Sequence, residues 1–184
     1  MLAAGIRCAA IEPDEFSVAD INGRCGANPL FLGATSAANN KGAFDVVLLI
    51  EVVEHLYDNE LAHCLAAARD SLGPGGVLIV TTPNNERRSD NFICSPESGL
   101  PFHRFQHVRS WSEASLADTL RQHGFRPIES GVTDFGASSL ALWRTKPLFY
   151  RVARMVAKTI LRTRPHLYAI ARRQDQTITS RTTK

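Results

Sequence analysis

The sequence predicts an α/β domain in which parallel strands alternate with the helices that cover them. Two observations carry that expectation. The stretches "FDVVLLI" (Phe44 to Ile50) and "VLIVTTPN" (Val77 to Asn84) are continuous β-branched and aliphatic runs, the pattern of strands buried on both faces. Between them Leu61, Leu65, Ala68 and Leu72 recur at helical spacing, so one amphipathic helix joins two neighbouring parallel strands.

The other elements follow in order. "IRCAAIE", Ile6 to Glu12, reads as a short strand ending in an acid, and "DEFSVADINGRCG" as a helix that stops at Gly26. "PLFLG" is a brief strand and "ATSAANNKGA" a loop of small residues. Asp58 can cap the central helix, and the Gly73-Pro74-Gly75-Gly76 turn ends it. Residues 85–110, rich in Ser, Pro, His and Arg, read as a long irregular segment, a length that is either functional or disordered. Ser112 can cap a further helix carrying Leu116, Ala117 and Leu120, which stops at Gly124. "FRPIESGV" and "PHLYAIAR" are the last two strands. Between them Phe149, Val152, Ala153, Val156 and Ile160 form an apolar helical stripe among Arg151, Arg154, Lys158 and Arg162.

A chain of 184 residues with 44% hydrophobic and 21% charged residues supports one globular domain. No run reaches the length of a membrane span and the start lacks a signal-peptide pattern, so the reading is a cytoplasmic protein. Cys8, Cys25, Cys64 and Cys94 are irregularly spaced, which argues against a disulfide framework or a zinc knuckle. The net charge of +3 conceals an asymmetry. Residues 135–174 hold nine Lys or Arg and no acid, whereas residues 1–134 hold ten basic and seventeen acidic residues. The basic helix has two readings: a packed helix with a solvated face, or a peripheral contact through 146–164 with anionic membrane or a phosphate-bearing substrate. Little aromatic interleaving and an acidic remainder argue against nucleic acid.

Ligands of an open parallel sheet bind at the carboxyl ends of its strands. Glu12, the Glu51/Glu54/His55 group and Thr82-Pro83-Asn84 fall there. Glu12 suits two ribose hydroxyls of a nucleoside, or is an exposed acid in a turn capped by Asp14 or Glu15. The E-x-x-E-H spacing brings Glu51 close to Glu54 and His55 over one helical turn. Such a set suits a divalent cation such as Mg²⁺, a general base oriented by a carboxylate, or merely a solvated turn. His103 and His107, with Cys94 upstream, lack an evident fourth zinc ligand and read better as a lid or substrate loop.

Taken together, F-D at Phe44-Asp45, E-x-x-E-H at Glu51 to His55, L-x-P-G-G at Leu72 to Gly76 and T-P-N at Thr82 to Asn84 resemble the middle of a class I S-adenosylmethionine (SAM)-dependent methyltransferase. The segment is similar to the broad group that includes the ubiquinone-pathway O-methyltransferases. "HVRSWSEASLADTLRQHGF" and "PHLYAIARR" resemble that family's following helix and closing strand. The resemblance implies a Rossmann-like sheet with helices on both faces. It places Glu12 at the cofactor ribose, Leu49, Ile50 and Glu51 along the cofactor, and Glu54 with His55 in catalysis. It also implies that Glu51, Glu54 and His55 hold a divalent cation, Mg²⁺ being the expected ion.

Two departures accompany it. The family's first strand and glycine-rich loop have no counterpart, so the sheet is expected to lack a central strand and to expose two hydrophobic edges. The acid that often binds adenine is replaced by Ala34, Thr35 and Ser36 in "LGATSAANN". The expectation is therefore a partial methyltransferase domain over residues 1–173, N-terminally truncated, with a basic insertion at 135–164 and a disordered tail at 174–184. The function expected is O-methylation of a small-molecule or lipid-like acceptor, with a non-catalytic binding module as its rival. A nicotinamide-dependent oxidoreductase shares the ribose acid but does not account for E-x-x-E-H.

Overall fold

The computed structural model describes residues 1–37, 41–134 and 165–174. The basic helix expected within 146–164 and the tail beyond residue 174 lie outside the described residues. The elements run β1 (Cys8–Ile11), α1 (Glu15–Cys25), β2 (Phe31–Thr35), β3 (Phe44–Ile50), α2 (Asp58–Ser71), β4 (Leu72–Pro83), β5 (Phe92–Cys94), β6 (Pro101–His103), α3 (Glu113–Gln122), β7 (Phe125–Thr133) and β8 (His166–Arg173). No helix among the described residues is long and apolar enough to cross a membrane.

The main sheet has the order β3-β4-β8-β7. β3 and β4 are parallel, as the intervening helix requires, whereas β8 runs antiparallel to both β4 and β7. The sheet is thus mixed rather than wholly parallel. β1 and β2 form a separate parallel pair. α1 is tied to that pair by Asn22, whose side chain donates to the Ala34 carbonyl at 3.0 Å and accepts from the Ala34 N–H at 2.8 Å.

α2 and α3 share one core with the sheet. Leu61, Leu65 and Ala68 of α2 and Leu116 and Leu120 of α3 meet Leu78 and Val80 of β4, Leu167, Ala169 and Ala171 of β8, and Phe125. Val47 and Leu49 pack against the same cluster. The alternate residues of β3 turn the other way, where Val46, Leu48 and Ile50 are 46%, 39% and 51% exposed. β3 is therefore half-covered, a correction to the expectation of a strand buried on both faces. Among the described residues it also forms one end of its sheet.

The helix ends differ in how well the sequence locates them. Ser112 caps α3 as expected, its hydroxyl accepting from the Ser115 N–H at 3.2 Å. Asp58 is the first residue of α2 rather than its cap; the Glu60 carboxylate reaches back to the Tyr57 N–H at 2.8 Å. β4 begins directly at Leu72, so the Pro-Gly turn lies inside the strand rather than before it. Gly124, at φ 81°, turns α3 into β7 and lets Phe125 enter the core. Phe125→Ala should cost about 3–5 kcal/mol in chemical denaturation, and Leu48→Ala, on the open face of β3, much less.

Candidate active site

The carboxyl ends of β3 and β4 lie side by side, and three segments converge there. The first leaves β3 at Glu51. The Glu51 N–H donates to the Thr81 carbonyl at 3.0 Å, and the Thr81 hydroxyl donates to Glu51 Oε1 at 2.9 Å. This grip holds Glu51 at φ 51°, a region that non-glycine residues seldom occupy. A tight turn follows, closed by the His55 N–H to the Val52 carbonyl at 3.0 Å.

Glu54 is the buried member, its side chain 2% exposed. The Thr82 hydroxyl donates to Glu54 Oε2 at 3.0 Å, while Oε1 has no hydrogen-bond partner. Removal from water pushes the Glu54 carboxyl above its ordinary pKa; the Thr82 hydrogen bond opposes the shift and nearby Glu51 adds to it. His55 is more open, its Nε2 lying 4.0 Å from Glu54 Oε1.

The second and third segments bound the stretch expected to be irregular. The Asn85 N–H donates to the Trp111 carbonyl at 2.8 Å, closing the stretch at its base, and the short β5–β6 hairpin lies within it. The loop returns to Glu54, whose carbonyl accepts the N–H groups of Val108 at 2.9 Å and Arg109 at 3.4 Å. Glu51, Asn85 and Gln106 are the non-glycine residues with positive φ among those described. All three fall in these converging segments, where backbone strain commonly accompanies function.

Two sets of donors result, each with its ligand atoms within 4.8 Å of one another: Glu54 with His55 and His107, and Glu86 with His103 and His107. The first retains two of the three residues expected from the E-x-x-E-H spacing and replaces Glu51 with His107. Glu51 belongs to neither set, because its carboxylate is turned onto Thr81. His103 and His107 come together with Glu86, while Cys94 is exposed and belongs to neither set. Only the position of Glu86, two residues beyond Thr-Pro-Asn at a strand end, could have drawn notice in the sequence.

The expected cofactor residues are spread more widely. Leu49 turns into the core and Ile50 to the opposite, open face. Glu12 follows β1, its N–H donating to the Thr35 carbonyl at 3.0 Å and its Oε1 accepting from the Asp14 N–H at 3.1 Å. Asp14 in turn caps α1 by accepting from Ser17 at 2.8 Å.

Solved structures share this fold. The 1,6-didemethyltoxoflavin-N1-methyltransferase of Burkholderia thailandensis, with bound 1,6-didemethyltoxoflavin and S-adenosylhomocysteine, matches with a TM-score of 0.59 and 18% identity over 95% of this chain and 64% of that one. A SAM-dependent methyltransferase of Methanosarcina mazei matches with 0.59 and 12% identity over 94% and 84%. The [4+2]-cyclase SpnF matches with 0.55 and 16% identity over 92% and 67%. The architecture is that of the Rossmann-like class I SAM-dependent methyltransferases.

The sequence narrows this further: residues 4–130 match the methyltransferase domain family, and the chain belongs to it. A probable S-adenosylmethionine-dependent methyltransferase of Mycolicibacterium smegmatis is 33% identical over 99 residues, 53% of this chain and 34% of the relative. A ubiquinone biosynthesis O-methyltransferase of Cereibacter sphaeroides is 34% identical over 100 residues, 52% of this chain and 39% of the relative. The chain thus spans less than half the length of these curated relatives.

The raised Glu54 pKa has a consequence for stability. Over the window between the unfolded and folded values, the folded protein keeps a proton that the unfolded chain has released. Its contribution is complete below the ordinary carboxylate range and declines as pH rises through the folded value. Glu54→Gln, which resembles the uncharged acid, should remove that decline in urea denaturation performed across this pH window with chelator present.

Proposed function

We propose that this chain binds SAM and transfers its methyl group to a hydroxyl of a small-molecule or lipid-like acceptor. The observation that carries the reading is the convergence of Glu54, His55 and His107 at the ends of β3 and β4, in a chain of the methyltransferase domain family. In the transfer the acceptor oxygen forms a bond to the methyl carbon as the carbon–sulfur bond of SAM breaks. S-adenosylhomocysteine leaves, and the hydroxyl proton passes to a base. His55, the more exposed imidazole, is that base in this reading, and the buried Glu54 carboxylate orients it. Glu12 holds the ribose, while the chain at Leu49, Ile50 and Glu51 borders the rest of the cofactor.

The divalent cation implied by the family resemblance can be tested against the donors. Glu54 Oε1 is buried without a hydrogen bond, and two imidazoles stand beside it. That arrangement fits a cation held by Glu54, His55 and His107, with His107 in the place expected for Glu51; with such a cation bound, His55 would be its ligand rather than the base. A bound cation would lower the pKa of the acceptor hydroxyl. Two imidazoles and one carboxylate favour Mn²⁺ or Zn²⁺ over the expected Mg²⁺, which prefers oxygen ligands. The basic 146–164 segment would then suit a lipid-like acceptor at an anionic membrane surface.

One observation favours the rival reading of a non-catalytic binding module. Glu12 and Glu51 sit at the ends of strands in two different sheets, with no hydrogen-bonded strand joining them among the described residues. Calorimetry with SAM and S-adenosylhomocysteine decides between the two. Binding supports the enzyme, and its absence from the folded 184-residue chain supports the module. In a binding-competent chain, Glu12→Ala should weaken SAM by about 1–3 kcal/mol through lost ribose hydrogen bonds. His55→Ala should abolish methyl transfer while leaving SAM affinity unchanged; full turnover would remove His55 from the mechanism.

A further inference from the structure

We propose that Glu86 is a positioning residue: its carboxylate fixes His107 as the Nδ1–H tautomer, so that the Nε2 lone pair is presented to Glu54 and His55. The inference deepens the reading above by explaining how His107 comes to offer a free lone pair at that site.

The geometry starts at the Glu86 carboxylate, 12% exposed and bonded through both oxygens. Oε1 accepts from Asn91 Nδ2 at 2.8 Å, and Oε2 lies 2.5 Å from His107 Nδ1. An ionised carboxylate has no hydrogen to give, so Nδ1 carries the one between them. A neutral imidazole holds a single ring N–H, and the other nitrogen is then left with its lone pair. Because Nδ1 is taken by Glu86, the nitrogen left for Glu54 and His55 is Nε2.

His103 reinforces the arrangement from the opposite direction. Its Nδ1 accepts the backbone N–H groups of His107 at 3.0 Å and Phe105 at 3.3 Å. Its hydrogen therefore resides on Nε2, which is buried without a hydrogen-bond partner and lies 3.6 Å from Glu86 Oε1. This places a second N–H beside the Glu86 carboxylate. It also excludes His103 Nε2 as a ligand while this pattern holds, since a metal needs the lone pair that the hydrogen occupies.

The two imidazoles of the second donor set thus have different duties despite lying stacked with centroids 4.8 Å apart. His103 holds the loop and supports Glu86, while His107 faces the site edge-on to His55, with centroids 4.8 Å apart. A carboxylate behind an imidazole is the recurring means of orienting a histidine ligand and raising its basicity. The same pair would serve His107 as a proton acceptor.

The test is the tautomer of His107, read by long-range ¹H–¹⁵N NMR on the full chain with no metal or cofactor added. The wild type should show Nδ1 protonated and Nε2 bare. Glu86→Met, which removes the acceptor while keeping the bulk, should move the hydrogen largely to Nε2. That pair of results upholds the inference even if the chain binds neither cation nor SAM, so its fate is separable from that of the proposed activity. A wild-type His107 protonated on Nε2 overturns it without recourse to any variant. A folded Glu86→Met protein whose His107 keeps the Nδ1–H tautomer overturns it equally. Where Mn²⁺ binds, the variant should bind it about 10–100-fold more weakly.

Discussion

The whole site hangs on Glu54, which works through its backbone and its side chain at once. The carbonyl receives Val108 and Arg109 from the returning loop, and the carboxylate receives Thr82 from the end of β4. Three segments distant in sequence are thereby fixed around one buried acid. Burying a carboxylate is costly unless its oxygens are satisfied, and here only one of the two has a partner. The remaining oxygen is a standing demand for a proton or a cation. The fold can maintain that demand because Thr82 belongs to β4, whose Leu78 and Val80 anchor it at the centre of the core.

Much of the framework could be read from the sequence because local and tertiary requirements agree. β4 carries the apolar run Val77 to Val80, and the core positions of α2 and α3 recur at helical spacing. Coverage by neighbours, by contrast, leaves no mark in the local pattern. A continuous apolar run such as Phe44 to Ile50 identifies a strand but cannot say what covers each face, and the face bearing Val46, Leu48 and Ile50 is open. The reversal of β8 was equally invisible, since an isolated strand carries no mark of its direction.

At the site, the structure brings Glu54 and His55 together as their spacing suggests and sets His107, rather than Glu51, beside them. A single helical turn would have brought Glu51 alongside, but the chain instead takes a left-handed step at that residue and bonds its carboxylate to Thr81. His107 arrives from more than fifty positions away, delivered by a loop whose shape depends on the left-handed Gln106 and on backbone donors to the His103 ring. Such long-range geometry has no periodic signature. The SpnF structure, a cyclase on the same architecture, shows that fold alone leaves chemistry open. The weight of the functional reading therefore falls on these few side chains.

The left-handed conformations of Glu51, Asn85 and Gln106 also bear on how this protein tolerates change. Each holds a side chain where glycine would sit with less strain, at a cost of about 1 kcal/mol or more. A population of variants sorted for resistance to heat would drift toward glycine at these three positions. One sorted for chemistry would keep the segments that these residues shape. The strain marks where thermal robustness and a working site pull the sequence in opposite directions.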